Sequence, residues 1–383
     1  MHTRRWYQMR ADSIGLTGYN RVAIKMMMSR SSAFVRNLPR SSAISRDRPR
    51  SQKKGSTMAN EYIELHAHLD GAITPAIARK LAAIQGTDLP ASDDELTRRL
   101  TVPADCKSLN DFLECFALPG ALLQTPESLE ASVRLVLENM ANQHVAYAEL
   151  RFAPQFHNKA GMTQTDAVRA ALRGLENSPI PANLILCCMR GCGNETANAE
   201  TIDVAATHLT EDGGVVALDL AGAEALFPTE NYRELFSRAC ELKIPFTLHA
   251  GEAAGPESVR TALDMGARRI GHGVRAADDP ELVEWLARLE TPLEMCPTSN
   301  RQTHAIEDMA AYPLARFIET GVRVTLNTDD MAIEGTTLAE EFDYAVNDLG
   351  LRTEQIPQLN ANAIDAAFTS DATKRALRTR FGL

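Results

Sequence analysis

Short apolar runs alternate with amphipathic stretches along most of the chain, from Tyr62 to Asp330. Several runs are rich in Val, Ile and Leu without polar alternation, which is typical of strands buried on both faces. The stretches between them have helical spacing, as at 126–140, and Thr163 followed by Asp166 is a helix-start pattern. Eight strand–helix alternations predict an α/β fold, a closed (β/α)8 TIM barrel. The predicted strands span 62–68, 146–152, 184–190, 215–221, 245–250, 268–272, 291–296 and 322–328.

The connection between the first two strands is long, at roughly 75 residues. We expect a helical insertion there, forming a lid over one end of the barrel. Phe112, Leu113 and Phe116 fall on one face of a predicted helix, where they either face a substrate or pack in the core. After Asp330, a helical tail from Leu338 to Phe381 is expected on the outside or the bottom of the barrel.

The first 57 residues differ in composition from the rest. They contain 13 Lys and Arg but two acidic residues, whereas the remaining 326 residues contain 27 basic and 48 acidic ones. An Arg- and Ser-rich head is typical of a mitochondrial transit peptide, but it also fits residues upstream of a natural start at Met58. We predict a basic, disordered or non-native extension over 1–57 and a single barrel domain over 58–383.

Composition excludes several classes of partner. The acidic body argues against binding to nucleic acid or to an anionic membrane surface. No apolar run approaches the roughly 18 residues that a membrane-spanning helix needs. Seven cysteines, an odd number without C-x-x-C pairs, favour a reducing cytoplasm over a disulfide framework, and Cys187 and Cys188 are expected to be core thiols. The sequence does not indicate an oligomeric state.

Four short polar motifs each follow a predicted strand. They are His66-Ala-His68-Leu-Asp70-Gly71, His249-Ala-Gly-Glu252, Gly271-His272-Gly273 and Asn327-Thr-Asp329-Asp330. Because a barrel carries its active site at the C-terminal ends of its strands, the four motifs are expected to meet. His66 and His68 are two residues apart and therefore point to the same side of a strand. With His249 and Asp329 they fit one zinc ion per chain, with a position left for water.

Three residues beside these predicted ligands can handle protons. Glu252, in a glycine-containing turn, suits a general acid that gives a proton to a substrate nitrogen. His272, between two glycines, can orient the water or stabilise hydroxide, and Asp330 can face the substrate while Asp329 binds the metal. The alternatives are a helix N-terminal carboxylate for Glu252, a core histidine for His272 and a turn carboxylate for Asp330.

Two further strand-end positions are candidates for substrate contact. Asp70 is a possible acceptor for a substrate hydroxyl, but it could equally cap the helix that starts at Thr74-Pro75. Gly222, in Asp219-Leu-Ala-Gly222, would let a backbone N–H approach a flat ring closely. A simple turn glycine is the alternative there.

The order of the motifs resembles the adenosine deaminase family of the amidohydrolase superfamily, bacterial type. The motifs are HAHLDGA, SLNDFLECF, ELRFAP, DLAGAE, HAGEAAGPES, RIGHGVR, CPTSN and NTDD, over roughly residues 61–382. The resemblance implies zinc-dependent hydrolytic deamination of adenosine or 2′-deoxyadenosine, giving the inosine product and ammonia, in purine salvage. It implies that the metal ligands are His66, His68, His249 and Asp329.

The resemblance also implies roles for the other site residues. Glu252 would protonate ring nitrogen 1, and His272 and Asp330 would assist the water. Asp330 would also contact the imidazole ring of the purine, Gly222 the pyrimidine edge, and Asp70 the ribose 5′-hydroxyl. The implied substrate contacts are His68, Asp70, Gly222, Asp330 and the apolar wall of Phe112, Leu113 and Phe116. The implied partner is a small purine nucleoside.

Two positions depart from the family pattern. Ala223 stands where the family usually has an acid, and Met331 stands where a proline usually follows the two aspartates. Met331 is expected to border the pocket, so substrate choice is the property affected. Related adenine deaminases usually carry Asp where Gly271 stands and lack the DLAG pattern, so this chain resembles a nucleoside enzyme on both counts.

Other functions fit the same motifs. One is adenine deaminase, and another is a deaminase of a 5′-modified adenosine such as aminodeoxyfutalosine or methylthioadenosine. From a different class, a non-catalytic binding protein on this scaffold would have lost a metal ligand or the acid. All of these residues are present here.

Overall fold

All eight predicted strands form in the computed structural model of the protein, which describes residues 61–103, 106, 112 and 115–383. The described strands are Tyr62–His68 (β1), Val145–Phe152 (β2), Ala182–Met189 (β3), Val215–Ala221 (β4), Thr247–Ala250 (β5), Arg269–His272 (β6), Leu293–Met295 (β7) and Val324–Leu326 (β8). The predicted extension over 1–57 lies outside the described residues.

The strands are parallel and hydrogen-bond in chain order. β1 to β4 form one four-stranded sheet and β5 to β8 form another. Single parallel bridges, Ala67 with Asp329 and Leu218 with Phe246, connect the two sheets at both seams. The predicted (β/α)8 barrel is confirmed.

Strand boundaries agree closely in the first half and less well in the second. β1 and β4 have the predicted bounds, whereas β5, β7 and β8 are shorter than the runs at 245–250, 291–296 and 322–328. Pro245 and Pro292 precede β5 and β7, and their carbonyls accept hydrogen bonds although neither residue has an N–H to donate. Apolar character therefore extends beyond the residues that pair.

Helices follow most strands, and polar caps start many of them. The described α-helices are Pro75–Gln85 (α1), Asp93–Leu100 (α2), Ala117–Leu122 (α3), Pro126–Asn142 (α4), Gln164–Leu175 (α5), Glu195–His208 (α6), Arg233–Glu241 (α7), Pro256–Asp264 (α8), Pro280–Leu289 (α9), Pro297–Gln302 (α10), Leu314–Glu319 (α11), Met331–Glu334 (α12), Leu338–Asp348 (α13), Ile356–Ala366 (α14) and Asp371–Phe381 (α15). Thr163 and Asp166 form the predicted capping box of α5. Thr74 caps α1 by accepting from Ile77 N, so Asp70 is not needed as its cap.

The C-terminal helices close the bottom of the barrel. Ile364 and Leu377 pack with Ile63 and Leu65 from the start of β1. The Asn362 side chain donates to the carbonyl of Val324 at the start of β8. The tail therefore lies at the end of the barrel opposite to the one where the strands finish.

Helices α1 to α4 occupy the long insertion between β1 and β2. Most of the predicted lid segment at 108–116, including Leu113, lies outside the described residues. None of the helices in the part of the chain that the structure describes has the length and apolar character of a membrane span.

Candidate active site

Three imidazoles and one carboxylate converge at the C-terminal end of the barrel. Nε2 of His249 lies 3.1 Å from Nε2 of His66 and 3.3 Å from Nε2 of His68. Oδ1 of Asp329 lies 3.3 Å from the same atoms of His66 and His68. Ligands bound to zinc at about 2.0–2.1 Å in a tetrahedral arrangement lie about 3.3 Å apart, so the cluster fits one such ion.

Two residues of the site have strained backbone conformations. Asp329 and His272 both have left-handed backbones, with φ of 63° and 59°, which costs about 1–3 kcal/mol per residue. Asp329 is held there by both its backbone groups: its N–H donates to the carbonyl of His66, and its carbonyl accepts from the N–H of His68. These contacts between β1 and the segment after β8 thus hold three of the four clustered residues together.

Buried carboxylates hold two of the imidazoles from behind. Nδ1 of His66 lies 2.6 Å from Glu294, and Nδ1 of His249 lies 2.8 Å from Asp219. Arg151 bridges these two carboxylates, with 2.8 Å contacts to each. A carboxylate on the far nitrogen orients a metal-binding histidine and increases its basicity. Glu294 and Arg151 were not predicted, although a charged residue inside an apolar strand was a usable signal.

Glu252 and His272 lie next to the ligand cluster. Nε2 of His272 is 3.7 Å from Oε2 of Glu252 and 3.7 Å from Oδ2 of Asp329. Burial, together with the carboxylates of Asp329 and Glu224, raises the pKa of Glu252 to about 8. Burial lowers the pKa of His272 well below its ordinary value. Near neutral pH the pair therefore combines a protonated acid with a neutral imidazole.

Residues after β7 support this pair and were missed by the sequence analysis. Thr303 donates a 3.2 Å hydrogen bond to Oε1 of Glu252. Nδ2 of Asn300 lies 3.1 Å from Nδ1 of His272, while Tyr312 donates to Oδ1 of Asn300 at 3.0 Å. The predicted motif CPTSN contains Asn300, but its sequence alone does not indicate which ring it contacts.

Asp330 and Asp70 lie near each other at the rim. A Cβ on Gly71 would come within 1.9 Å of Oδ1 of Asp330, so only glycine leaves room for this carboxylate. That oxygen is buried and has no hydrogen-bond partner among the described residues, which leaves it available to a ligand. Asp70 is half-buried, and burial raises its pKa to about 6.

Two glycines line the same end of the barrel. Gly222 follows β4, has φ of 103° and is exposed. A Cβ on Gly271 would lie 3.1 Å from Cε1 of His66 and 3.1 Å from Cα of His249. An aspartate at Gly271 would therefore press on two of the clustered histidines unless the backbone shifted.

An apolar cluster lies close in sequence to Asp330. Phe112 is buried, and its ring lies 5.8 Å from that of Phe116. Both pack with Ile333, three residues beyond Asp330. Met331 instead joins the main hydrophobic core.

Comparison with known proteins agrees with this geometry. The adenosine deaminase family model matches residues 62–381. A Haemophilus ducreyi protein named adenosine deaminase is 48% identical over 322 residues, covering 82% of this chain and 94% of that protein. An Enterococcus faecalis protein of the same name is 38% identical, covering 83% of this chain and 95% of that protein. The chain belongs to the adenosine deaminase family.

Solved structures of related deaminases share the family fold. An adenine deaminase from Arthrobacter aurescens superposes with a TM-score of 0.75 and 29% identity, covering 84% of this chain and 98% of that one. The N6-methyl-AMP deaminase of Arabidopsis thaliana gives a TM-score of 0.72 and 28% identity, covering 85% and 96%. Family membership identifies the chain as a hydrolytic deaminase with a cluster suited to a metal ion.

Proposed function

We propose that this protein is a zinc-dependent adenosine deaminase. It converts adenosine and 2′-deoxyadenosine with water into inosine and 2′-deoxyinosine plus ammonia. The observation that carries the proposal is the meeting of the His66, His68, His249 and Asp329 cluster with Glu252, His272 and Asp330 at one end of the barrel. Relatives named adenosine deaminase, up to 48% identical across most of the chain, support the choice of substrate.

The four clustered residues would hold the zinc ion. Three neutral imidazoles and a carboxylate are the ligand types that zinc takes in hydrolytic enzymes, and Glu294 and Asp219 keep two of the rings oriented. When bound, the ion would supply a water with a pKa near about 7 as the nucleophile.

Glu252 would donate a proton to ring nitrogen 1 of the purine as oxygen adds to carbon 6. A pKa raised to about 8 keeps this carboxyl protonated at neutral pH, which a general acid requires. His272 and Asp330 would orient the attacking water. The amino group leaves as ammonia; one water proton ends on it and the other replaces the proton that Glu252 gave to nitrogen 1.

Recognition of the nucleoside would use the residues around the rim. Gly222 would contact the pyrimidine edge, Asp330 the imidazole ring of the purine, and Asp70 the ribose 5′-hydroxyl. His68 would contribute to the same pocket, and Phe112, Leu113 and Phe116 would form its apolar wall. We further propose that residues 58–383 form the deaminase domain, acting in the cytoplasm.

Adenine deaminase is the second candidate, because a protein of that name is a close structural neighbour. Gly271 argues against it, since the aspartate that adenine deaminases usually carry there would crowd His66 and His249. A 5′-modified adenosine is a third candidate, since Asp70 and Gly222 favour an intact nucleoside without distinguishing the group at the ribose 5′ position. A non-catalytic role is disfavoured because no ligand or acid is lost.

The test is the ultraviolet spectrum of adenosine with the purified protein over time. Loss of the adenine absorbance, abolished by a chelator and restored by zinc, supports reaction, metal and substrate together. Rates on adenine and on methylthioadenosine are measured alongside. If kcat/KM for adenine or for methylthioadenosine were higher than for adenosine, that compound would be the preferred substrate instead.

A further inference from the structure

The loop that carries Glu252 is fastened by a single carboxylate, that of Glu224. Oε1 of Glu224 accepts from the backbone N–H of Gly251 at 2.7 Å. Oε2 accepts from the N–H groups of Glu252 at 3.1 Å, Ala253 at 2.7 Å and Ala254 at 3.0 Å. Four consecutive backbone donors therefore converge on one side chain.

These hydrogen bonds lie in the protein interior and not at its surface. Glu224 is 3% exposed, and Oγ of Ser258 gives Oε1 a fifth hydrogen bond at 2.5 Å. A carboxylate has about four acceptor positions, so its capacity is saturated. The loop leads into α8, and its N–H groups lie at the positive end of that helix, where a negative charge is stabilised.

Other contacts brace the same loop. The guanidinium of Arg190 donates to the carbonyl of His249 at 2.6 Å and to Oγ1 of Thr229 at 3.0 Å. Thr229 in turn lies 2.7 Å from Oγ of Ser258. Arg275 donates to the carbonyl of Glu252 at 2.8 Å. Arg190 and Thr229 thus hold the strand end and the helix start, Arg275 holds the carbonyl of Glu252, and Glu224 binds the four N–H groups of residues 251–254.

The consequence concerns the side chain of Glu252. Among the described residues, Thr303 gives its carboxyl one hydrogen bond and Nε2 of His272 lies 3.7 Å away, so these contacts constrain it weakly. Its position depends on where the backbone of the loop is held. We infer that Glu224, the last residue of the DLAGAE motif, is a positioning residue that sets the reach of Glu252 towards the purine ring.

This inference rests on the proposed deaminase function. The test measures kcat, KM for adenosine, bound zinc and thermal melting of Glu224→Gln in the zinc-loaded protein. Glutamine keeps the volume but loses an acceptor oxygen and turns an NH2 group towards backbone donors. We expect kcat to fall about 10²-fold, as misplacement by about 1 Å does. KM and zinc content stay within about threefold, because the metal and rim residues keep their positions.

Two further variants separate positioning from general damage. Glu224→Asp keeps the charge at a shorter reach, so its kcat should lie between those of the wild type and Glu224→Gln. If Glu224→Gln does not fold, the same measurements are made on Glu224→Asp. Glu149→Gln is the matched control, since Glu149 is a fully buried glutamate that accepts from Phe368 N at 2.6 Å, in the C-terminal tail that closes the bottom of the barrel. It should lower the melting temperature but leave kcat within about threefold.

A double-mutant cycle gives the decisive readout. If Glu224 acts through Glu252, adding Glu224→Gln to Glu252→Gln lowers kcat by less than about threefold further. A full additional loss of about 10²-fold, or a Glu224→Gln single variant with normal kcat, overturns the inference. An inactive zinc-loaded wild type would instead overturn the proposed function, so the two failures are distinguishable.

Discussion

Glu252 has surroundings that favour its protonated form. Its side chain is half-buried near the carboxylates of Asp329 and Glu224, and desolvation together with these charges raises its pKa to about 8. A carboxyl group with an ordinary pKa would be ionised at neutral pH and could not donate. The site therefore retains an acid beside the cluster of His66, His68, His249 and Asp329.

Replacing this acid tests its role. We expect Glu252→Gln to bind zinc and adenosine but to lose about 10²–10⁴-fold in kcat, the usual loss when a general acid is removed. Steady-state kinetics with measured zinc content checks this. Near-normal turnover would remove Glu252 from the mechanism.

The two adjacent aspartates should separate metal binding from catalysis. Asp329→Ala is expected to reduce zinc occupancy, because Oδ1 of Asp329 belongs to the ligand cluster. Asp330→Ala is the matched control: it should keep zinc and lose turnover, because its oxygen faces the pocket. Metal analysis after gel filtration gives the occupancies. Full zinc retention in Asp329→Ala would show that its assignment as a ligand is wrong.

At the scale of elements, the sequence could predict the four residues of the cluster because each one lies at the C-terminal end of a predicted strand or just after it. It could not predict Glu294 or Glu224 in their roles, because their partners come from other strands and loops. The register that brings Gly271 beside His249 is likewise tertiary. The positions of short strands such as β7 could be predicted, but their first and last residues could not. Apolar residues continue past those that form the hydrogen bonds of the sheet.

Close packing between α4 and α5 gives a prediction at this scale. A Cβ on Gly174 would meet the carbonyl of Glu130 at 2.6 Å and Cβ of Val133 at 2.7 Å. We expect Gly174→Ala to lower the free energy of unfolding by about 1–3 kcal/mol, measured by urea denaturation. Gly120→Ala is the control, because no described atom lies within 4 Å of its added Cβ. It should be neutral or stabilising by up to about 1 kcal/mol. Equal effects of the two changes would contradict the packing argument.

Buried polar groups connect segments of the described chain that are far apart in sequence. His157, after β2, is buried and donates from Nδ1 to the carbonyl of Leu123 at 2.9 Å, which ties the insertion to the barrel. Burial lowers its pKa from 6.5 to about 4. The folded state thus resists a proton that the unfolded chain takes up.

The stability of the molecule should therefore depend on pH in a defined window. The contribution of His157 is fully present above pH 6.5 and is lost as pH falls towards 4, by about 3 kcal/mol in total. His157→Asn keeps a donor for Leu123 but does not titrate, so its unfolding free energy should fall less over this range. Urea denaturation at a series of pH values compares the two. Parallel profiles would contradict the prediction.

The backbone contacts between His66, His68 and Asp329 have a consequence for how the protein is made. His66 leaves the ribosome early and Asp329 late, after every other residue of the ligand cluster. Until Asp329 emerges, the nascent chain lacks the fourth residue of the cluster and the backbone contacts that hold His66 and His68 in place. An interrupted translation product therefore cannot assemble the site that we propose for zinc, and zinc uptake would report that all four residues of the cluster have been made.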